Sequence, residues 1–113
     1  MPVTTEYRAE TLSVLNLVAP VTGRSMFGGV GLYCEGLFFA LMDDDRLFFK
    51  VDDSNRSDYV EAGMEPWSHG PLNYYEVPPL VLDNPDELAA WMDKAVRVAE
   101  LKKAKARPVV RRR

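Results

Sequence analysis

The chain is poor in the residues that build metal centres, disulfides and covalent catalysis. Its 113 residues include one cysteine, Cys34, and one histidine, His69. A single thiol closes no internal disulfide, and the four ligands of a structural zinc site are absent. A reducing compartment is therefore expected. The opening residues, Met1-Pro2-Val3-Thr4-Thr5-Glu6, lack the basic start and apolar run of a signal peptide. No apolar stretch approaches the roughly 18 residues that span a bilayer, so no membrane association is expected and the cytoplasm is the default location. A serine-centred G-x-S-x-G elbow is missing, as is a Gly-Lys-Ser/Thr phosphate loop. No catalytic residue, metal or cofactor is expected.

What is present suits one small globular domain: 47% hydrophobic and 27% charged residues. The net charge of −3 hides an asymmetry. All 17 acidic residues lie within 1–101, with only seven basic ones, which leaves that body at −10. Residues 102–113 carry +7, from Lys102, Lys103, Lys105, Arg107, Arg111, Arg112 and Arg113. The chain thus divides into a domain, 1–101, and a basic C-terminal tail, 102–113.

Thr4 or Thr5 can cap a first helix, in which Tyr7, Thr11, Leu12, Val14, Leu15 and Val18 recur at helical spacing. Arg24–Glu35 reads as one extended segment whose glycines suggest a bulge. Glu35-Gly36 reads as a hairpin turn, Leu37–Met42 as a strand buried on both faces, and residues 47–51 as a third strand. Asp52 or Asp53 can cap a short helix ending near Gly63. Strands are expected over 66–69 and 72–77, ended by Pro78-Pro79. Asn84-Pro85-Asp86-Glu87 is a helix start, and Leu88, Trp91, Met92, Ala95 and Ala99 form its apolar stripe to about Ala106. The order is α-β-β-β-α-β-β-α, an α+β fold with a mostly antiparallel sheet covered by helices.

Several groups invite chemistry and are read conservatively. Gly28-Gly29-Val30-Gly31 lies in an extended segment rather than between strand and helix, which favours a bulged strand over a phosphate cradle. Asp43, Asp44, Asp45, Asp52 and Asp53 do not follow the alternate spacing of a calcium loop, so a solvated turn and a helix cap are expected. Cys34 and His69 fall on different strands, and Cys34 reads as core packing. Tyr74, Tyr75, Trp67 and Phe48 could stack bases, but an acidic body repels phosphates, so core packing or a protein interface is expected. The basic tail is the candidate nucleic-acid contact.

Four stretches taken together resemble one family. They are Arg24-Ser25-Met26-Phe27-Gly28-Gly29-Val30-Gly31, Phe39 to Val51 ending in Arg46-Leu47-Phe48-Phe49-Lys50-Val51, Leu72-Asn73-Tyr74-Tyr75-Glu76-Val77-Pro78, and the helix start at Asn84. They are similar to the R-x-M-F-G-G-x-G signature and later blocks of the TfoX/Sxy N-terminal domain, over about residues 6–100. The resemblance implies an α+β fold, a role in competence (DNA transformation) and transcription regulation, and no catalytic residues. It also implies a stand-alone copy of a domain that full-length members follow with a second one. The signature residues Arg24, Met26, Phe27, Gly28, Gly29, Gly31, Lys50, Tyr74, Tyr75 and Pro78 are then structural or interaction residues. The expected function is a non-enzymatic regulatory module with a protein partner. A nucleic-acid-associated protein anchored by its tail is the alternative, and a small-ligand protein or enzyme the least favoured. Homodimerisation through an uncovered sheet edge is a further expectation.

Overall fold

Thr4 has extended dihedrals and accepts from the Tyr7 amide at 3.1 Å, so helix α1 (Thr5–Asn16) begins where the sequence places it. The computed structural model describes residues 2–26, 28–71 and 73–106, the last two of these by backbone only. After α1 come β1 (Thr22–Met26), β2 (Gly29–Cys34), β3 (Leu37–Asp43), β4 (Arg46–Lys50), α2 (Arg56–Glu61), β5 (Tyr74–Glu76), α3 (Pro79–Leu82) and α4 (Pro85–Ala106). The fold is α+β, with one five-stranded antiparallel sheet in the order β1-β2-β3-β4-β5.

Two expectations about strands need correction. Arg24–Glu35 is two strands, because Gly28, at φ +81°, turns the chain back after β1. The 66–69 segment forms no strand: Pro66 makes one isolated bridge to Tyr75, and only the Trp67 amide reaches the Tyr74 carbonyl, at 2.7 Å. Proline has no amide to extend a ladder. The last strand does end before Pro78-Pro79, and Pro79 then opens a short helix, α3, that the sequence reading did not include, since proline's fixed φ suits a first helical turn.

The other turns follow their residues. Glu35 (φ 52°) and Gly36 (φ 79°) join β2 to β3, and Asp44 (φ 56°) and Asp45 (φ 54°) join β3 to β4, each with both central residues left-handed. Asp45 then anchors the helix start opposite, accepting from the Thr4 amide at 2.8 Å and its hydroxyl at 3.0 Å. The helix-capping position of α2 belongs to Asn55 rather than Asp52 or Asp53. The Asn55 side chain is buried, taking the Asp52 amide at 2.8 Å and giving to the Lys50 carbonyl at 3.2 Å. Asp52 instead accepts from the Ser54 amide at 2.8 Å.

Asn84 caps α4 as its sequence promises, accepting from the Asp86 and Glu87 amides. Leu88, Met92, Ala95 and Ala99 bury their stripe against Leu32, Ala40, Met42, Leu47 and Phe49 of the sheet. Leu15 of α1, Tyr59 of α2 and Val81 of α3 close the same core. Among the described residues, helices therefore cover one face of the sheet only, and the opposite face carries strand side chains and the 65–71 loop.

Candidate functional site on the uncovered sheet face

The uncovered face is assembled by strand alternation and one bulge. On β4, Leu47 and Phe49 face the helices, so Arg46, Phe48 and Lys50 face away. Opposite them on β5 stand Glu76 and Tyr74. On β1, Arg24 is paired with Gly31 and Met26 with Gly29. The register of β2 with β3 shifts between Leu32 and Tyr33, because Leu32 pairs with Ala40 and Tyr33 with Phe38. Phe39 is the extra residue, and the bulge turns it into the core against Phe49 while Phe38 lands on the uncovered face. The bulge thus lies opposite Phe39 rather than at the glycines.

Aromatic rings pave this face. Tyr33 stacks on Phe38 at 5.3 Å between centroids, Phe38 meets Tyr74 at 5.9 Å, and Trp67 stands edge-on to Tyr74 at 6.0 Å. The Lys50 ammonium lies 4.9 Å from the Phe38 centroid and 5.5 Å from that of Tyr74. Ring faces are natural neighbours of a cation that, among the described residues, has no carboxylate partner. Burial, with Lys102 nearby, lowers the Lys50 pKa to about 8. Burial likewise pushes the Tyr74 hydroxyl up to about 12, with Tyr33 adding to it.

Trp67 swings over the face from the 65–71 loop. Its indole N–H donates to the Asp43 carboxylate at 2.9 Å, and its ring packs on Gly70 so closely that a Cβ there would lie 2.4 Å from Cζ3. Between Trp67 and β1 opens a groove of about 550 Å³, lined chiefly by Met26, Phe38, Leu41, Trp67, Pro71 and Tyr74. Asp43 and His69 supply its polar margin. The glycines of the signature shape its floor. A Cβ on Gly29 would meet the Met42 carbonyl oxygen at 2.4 Å, and one on Gly31 would meet the Met26 methyl at 2.6 Å.

The signature residues therefore converge. Arg24, Met26, Gly29, Gly31, Lys50 and Tyr74 share this face. Tyr75 does not: it lies on the core side, 5.8 Å from Tyr59. Gly28 is the hairpin turn and Pro78 a buried cap of α3. Phe27, Arg107, Arg111, Arg112, Arg113 and the Lys105 side chain lie outside the described residues. Lys102 and Lys103 are exposed on the last turns of α4. Cys34 and His69 stand on opposite faces of the sheet, so the structure does not bring them together. Burial, with Glu35 nearby, pushes the Cys34 thiol up, away from nucleophilic character. Among the described residues no group of three His, Cys, Asp or Glu side chains could hold a metal ion, and no helix is long and apolar enough to cross a membrane.

Sequence reasoning missed Phe38 and Leu41 as members of this face. Leu37–Met42 is uniformly apolar, so no polar residue marks which side chains point where. It also passed over Arg8, whose guanidinium reaches from α1 to the Ser25 hydroxyl (3.1 Å) and the Gly23 carbonyl (3.3 Å) of β1.

Comparison with known proteins places this geometry in a family context. The family model for the TfoX N-terminal domain matches residues 13–99. The DNA transformation protein TfoX1 of Aliivibrio fischeri is 31% identical over 86 residues. That alignment covers 71% of this chain and 41% of the relative, so the chain spans about two fifths of the length of the protein it matches.

Proposed function

Because the chain belongs to the TfoX N-terminal domain family, we propose that it is a cytoplasmic, non-enzymatic regulatory module of DNA transformation that works by binding a protein partner. Its recognition surface is the uncovered sheet face, and the groove receives an apolar side chain of that partner. One observation carries this reading. Six residues of the family signature share the sheet face that no described helix covers, and three of them, Met26, Gly29 and Tyr74, line its open aromatic groove. Pockets lined by aromatic and methionine side chains are where interface anchors insert. The separation of Cys34 from His69 supports a role without covalent chemistry.

A second reading has its own support in the exposed Lys102 and Lys103, which extend the basic tail onto the end of α4. There the chain would hold nucleic acid through phosphates, with little sequence preference and a steep salt dependence.

One pair of experiments separates them. Partner recovery from native lysate should drop at least about tenfold in Met26→Glu and Trp67→Ser chains, the loss of roughly 1.4 kcal/mol of anchor binding. It should persist in a chain ending at Leu101. Retention by both groove variants, with unchanged far-UV circular dichroism, sinks the groove reading. DNA binding by anisotropy that disappears on truncation at Leu101 supports the second reading instead.

A further inference from the structure

The two edges of the sheet are not alike. Beyond β5 the 65–67 segment lies alongside, with the Trp67 amide on the Tyr74 carbonyl and the Glu76 amide on the Glu65 carbonyl at 3.1 Å. Beyond β1 no described residue forms a ladder. β1 pairs with β2 through five consecutive residues without a register shift, so alternate backbone N–H and C=O groups along it point outward. Thr22–Met26 has no proline, no lysine and no bulge to blunt it, though the Arg8 guanidinium already takes up its Gly23 carbonyl and leaves the remaining outward groups for a partner.

Charge distinguishes this edge further. Arg46, Arg56, Lys94 and Arg97 each face a carboxylate of Glu76, Asp53, Asp58 and Asp93. Arg24 and Arg8 have no carboxylate partner among the described residues. Arg24 is exposed on the groove side, 6.0 Å from the Tyr33 centroid. Arg8 lies on the helix side, held against Gly23 and Ser25. In a body of net charge −10, two unneutralised guanidinium groups thus bracket the one open strand.

We infer that the outer edge of β1 accepts an extended, acidic segment of a partner protein by antiparallel or parallel strand addition. Backbone hydrogen bonds supply the attachment, and two adjacent carboxylates, which strand alternation sends to opposite faces, meet Arg24 on the groove side and Arg8 on the helix side. The inference rests on the interaction-module reading and adds the chemistry of the partner. A second copy of this chain fits less well. Antiparallel self-pairing centred on β1 sets Arg24 directly opposite Arg24, and like charges in that position destabilise a ladder. The basic tail of the chain itself is repelled for the same reason.

The test uses the full ¹⁵N-labelled chain and two probe peptides, acetyl-Thr-Val-Glu-Glu-Val-Thr-amide and its counterpart with lysine for glutamate. With the acidic peptide, amide shifts should move along 22–26 and the outward amides of β1 should exchange more slowly. The lysine peptide should bind about fivefold more weakly at low salt, as expected for one to two exposed ion pairs. The exposed Arg24→Glu substitution should invert that preference with unchanged circular dichroism. Equal response to both peptides overturns the proposal, as does perturbation confined to Trp67 and Tyr74. Dimerisation that itself protects β1 also overturns it, as does duplex DNA moving these amides where the acidic peptide does not. Groove variants that lose their partner while β1 ignores the peptide leave the module reading standing and remove only the edge. Peptide binding at β1 with partner recovery indifferent to the groove does the reverse.

Discussion

Under α4 the sheet is closed by apolar packing, with Leu32, Ala40, Met42 and Phe49 wholly buried and no charged side chain among them. The opposite face uses the same strands to hold Arg24, Asp43, Lys50 and a run of rings around an open groove. A fold that needed only stability would have no use for the second arrangement, because buried charge is expensive unless it is well partnered. The family signature maps mainly to that second face. The contrast separates residues that hold the domain together from residues that the proposed recognition surface would use.

Substitution breaks the contrast most sharply at the rings. Phe49→Ala removes a wholly buried ring and should lower stability by about 3–5 kcal/mol, whereas Phe38→Ala on the open face should cost only about 1–2 kcal/mol. Denaturant melts of both chains compare them directly, and equal losses would mean that the open face is a second core.

The paired glycines give a finer contrast. A methyl on Gly29 meets a backbone carbonyl that cannot step aside, whereas one on Gly31 meets the end of the flexible Met26 side chain. Gly29→Ala should therefore cost about 1–3 kcal/mol and Gly31→Ala less than about 1 kcal/mol. Adding Met26→Ala should rescue Gly31→Ala and do nothing for Gly29→Ala.

The smallest effect is one of pH. Lys50 has a folded pKa of about 8 against an ordinary 10.5. Between those values the unfolded chain binds more protons, so stability rises with pH. Tyr74, raised from 10.0 to about 12, works the other way above pH 10. Cys34, raised above its ordinary 9.0, also opposes it from about pH 9, so the net gain should lie between about pH 8 and 9 and vanish in Lys50→Met, as thermal melts across that range would show.

Much of the scaffold was legible. The Thr4 and Asn84 caps, the Glu35-Gly36 turn and the α4 stripe are local signals, each written in a few adjacent residues, and each formed as expected. What escaped was non-local. The bulge at Phe39 depends on how β3 fits β2, and a uniform apolar run carries no mark of it. Trp67 reaches Asp43 across 24 residues, and the bare β1 edge follows from which segments fail to lie beside it. Arg24 and Lys50, named from sequence among the signature residues, do share the open face, but what surrounds them there depends on the sheet.

Strand order along the chain and strand order in space coincide, and this bears on synthesis. Each hairpin can close as soon as its second strand leaves the ribosome, since every pairing is between neighbours in the chain. The helix that covers the apolar face, α4, is made after the whole sheet, from residue 85 onward. Until then the nascent sheet presents Leu32, Ala40, Met42 and Phe49 to solvent, the kind of surface that chaperones bind. A chain halted before α4 is therefore a chaperone client rather than a smaller working domain.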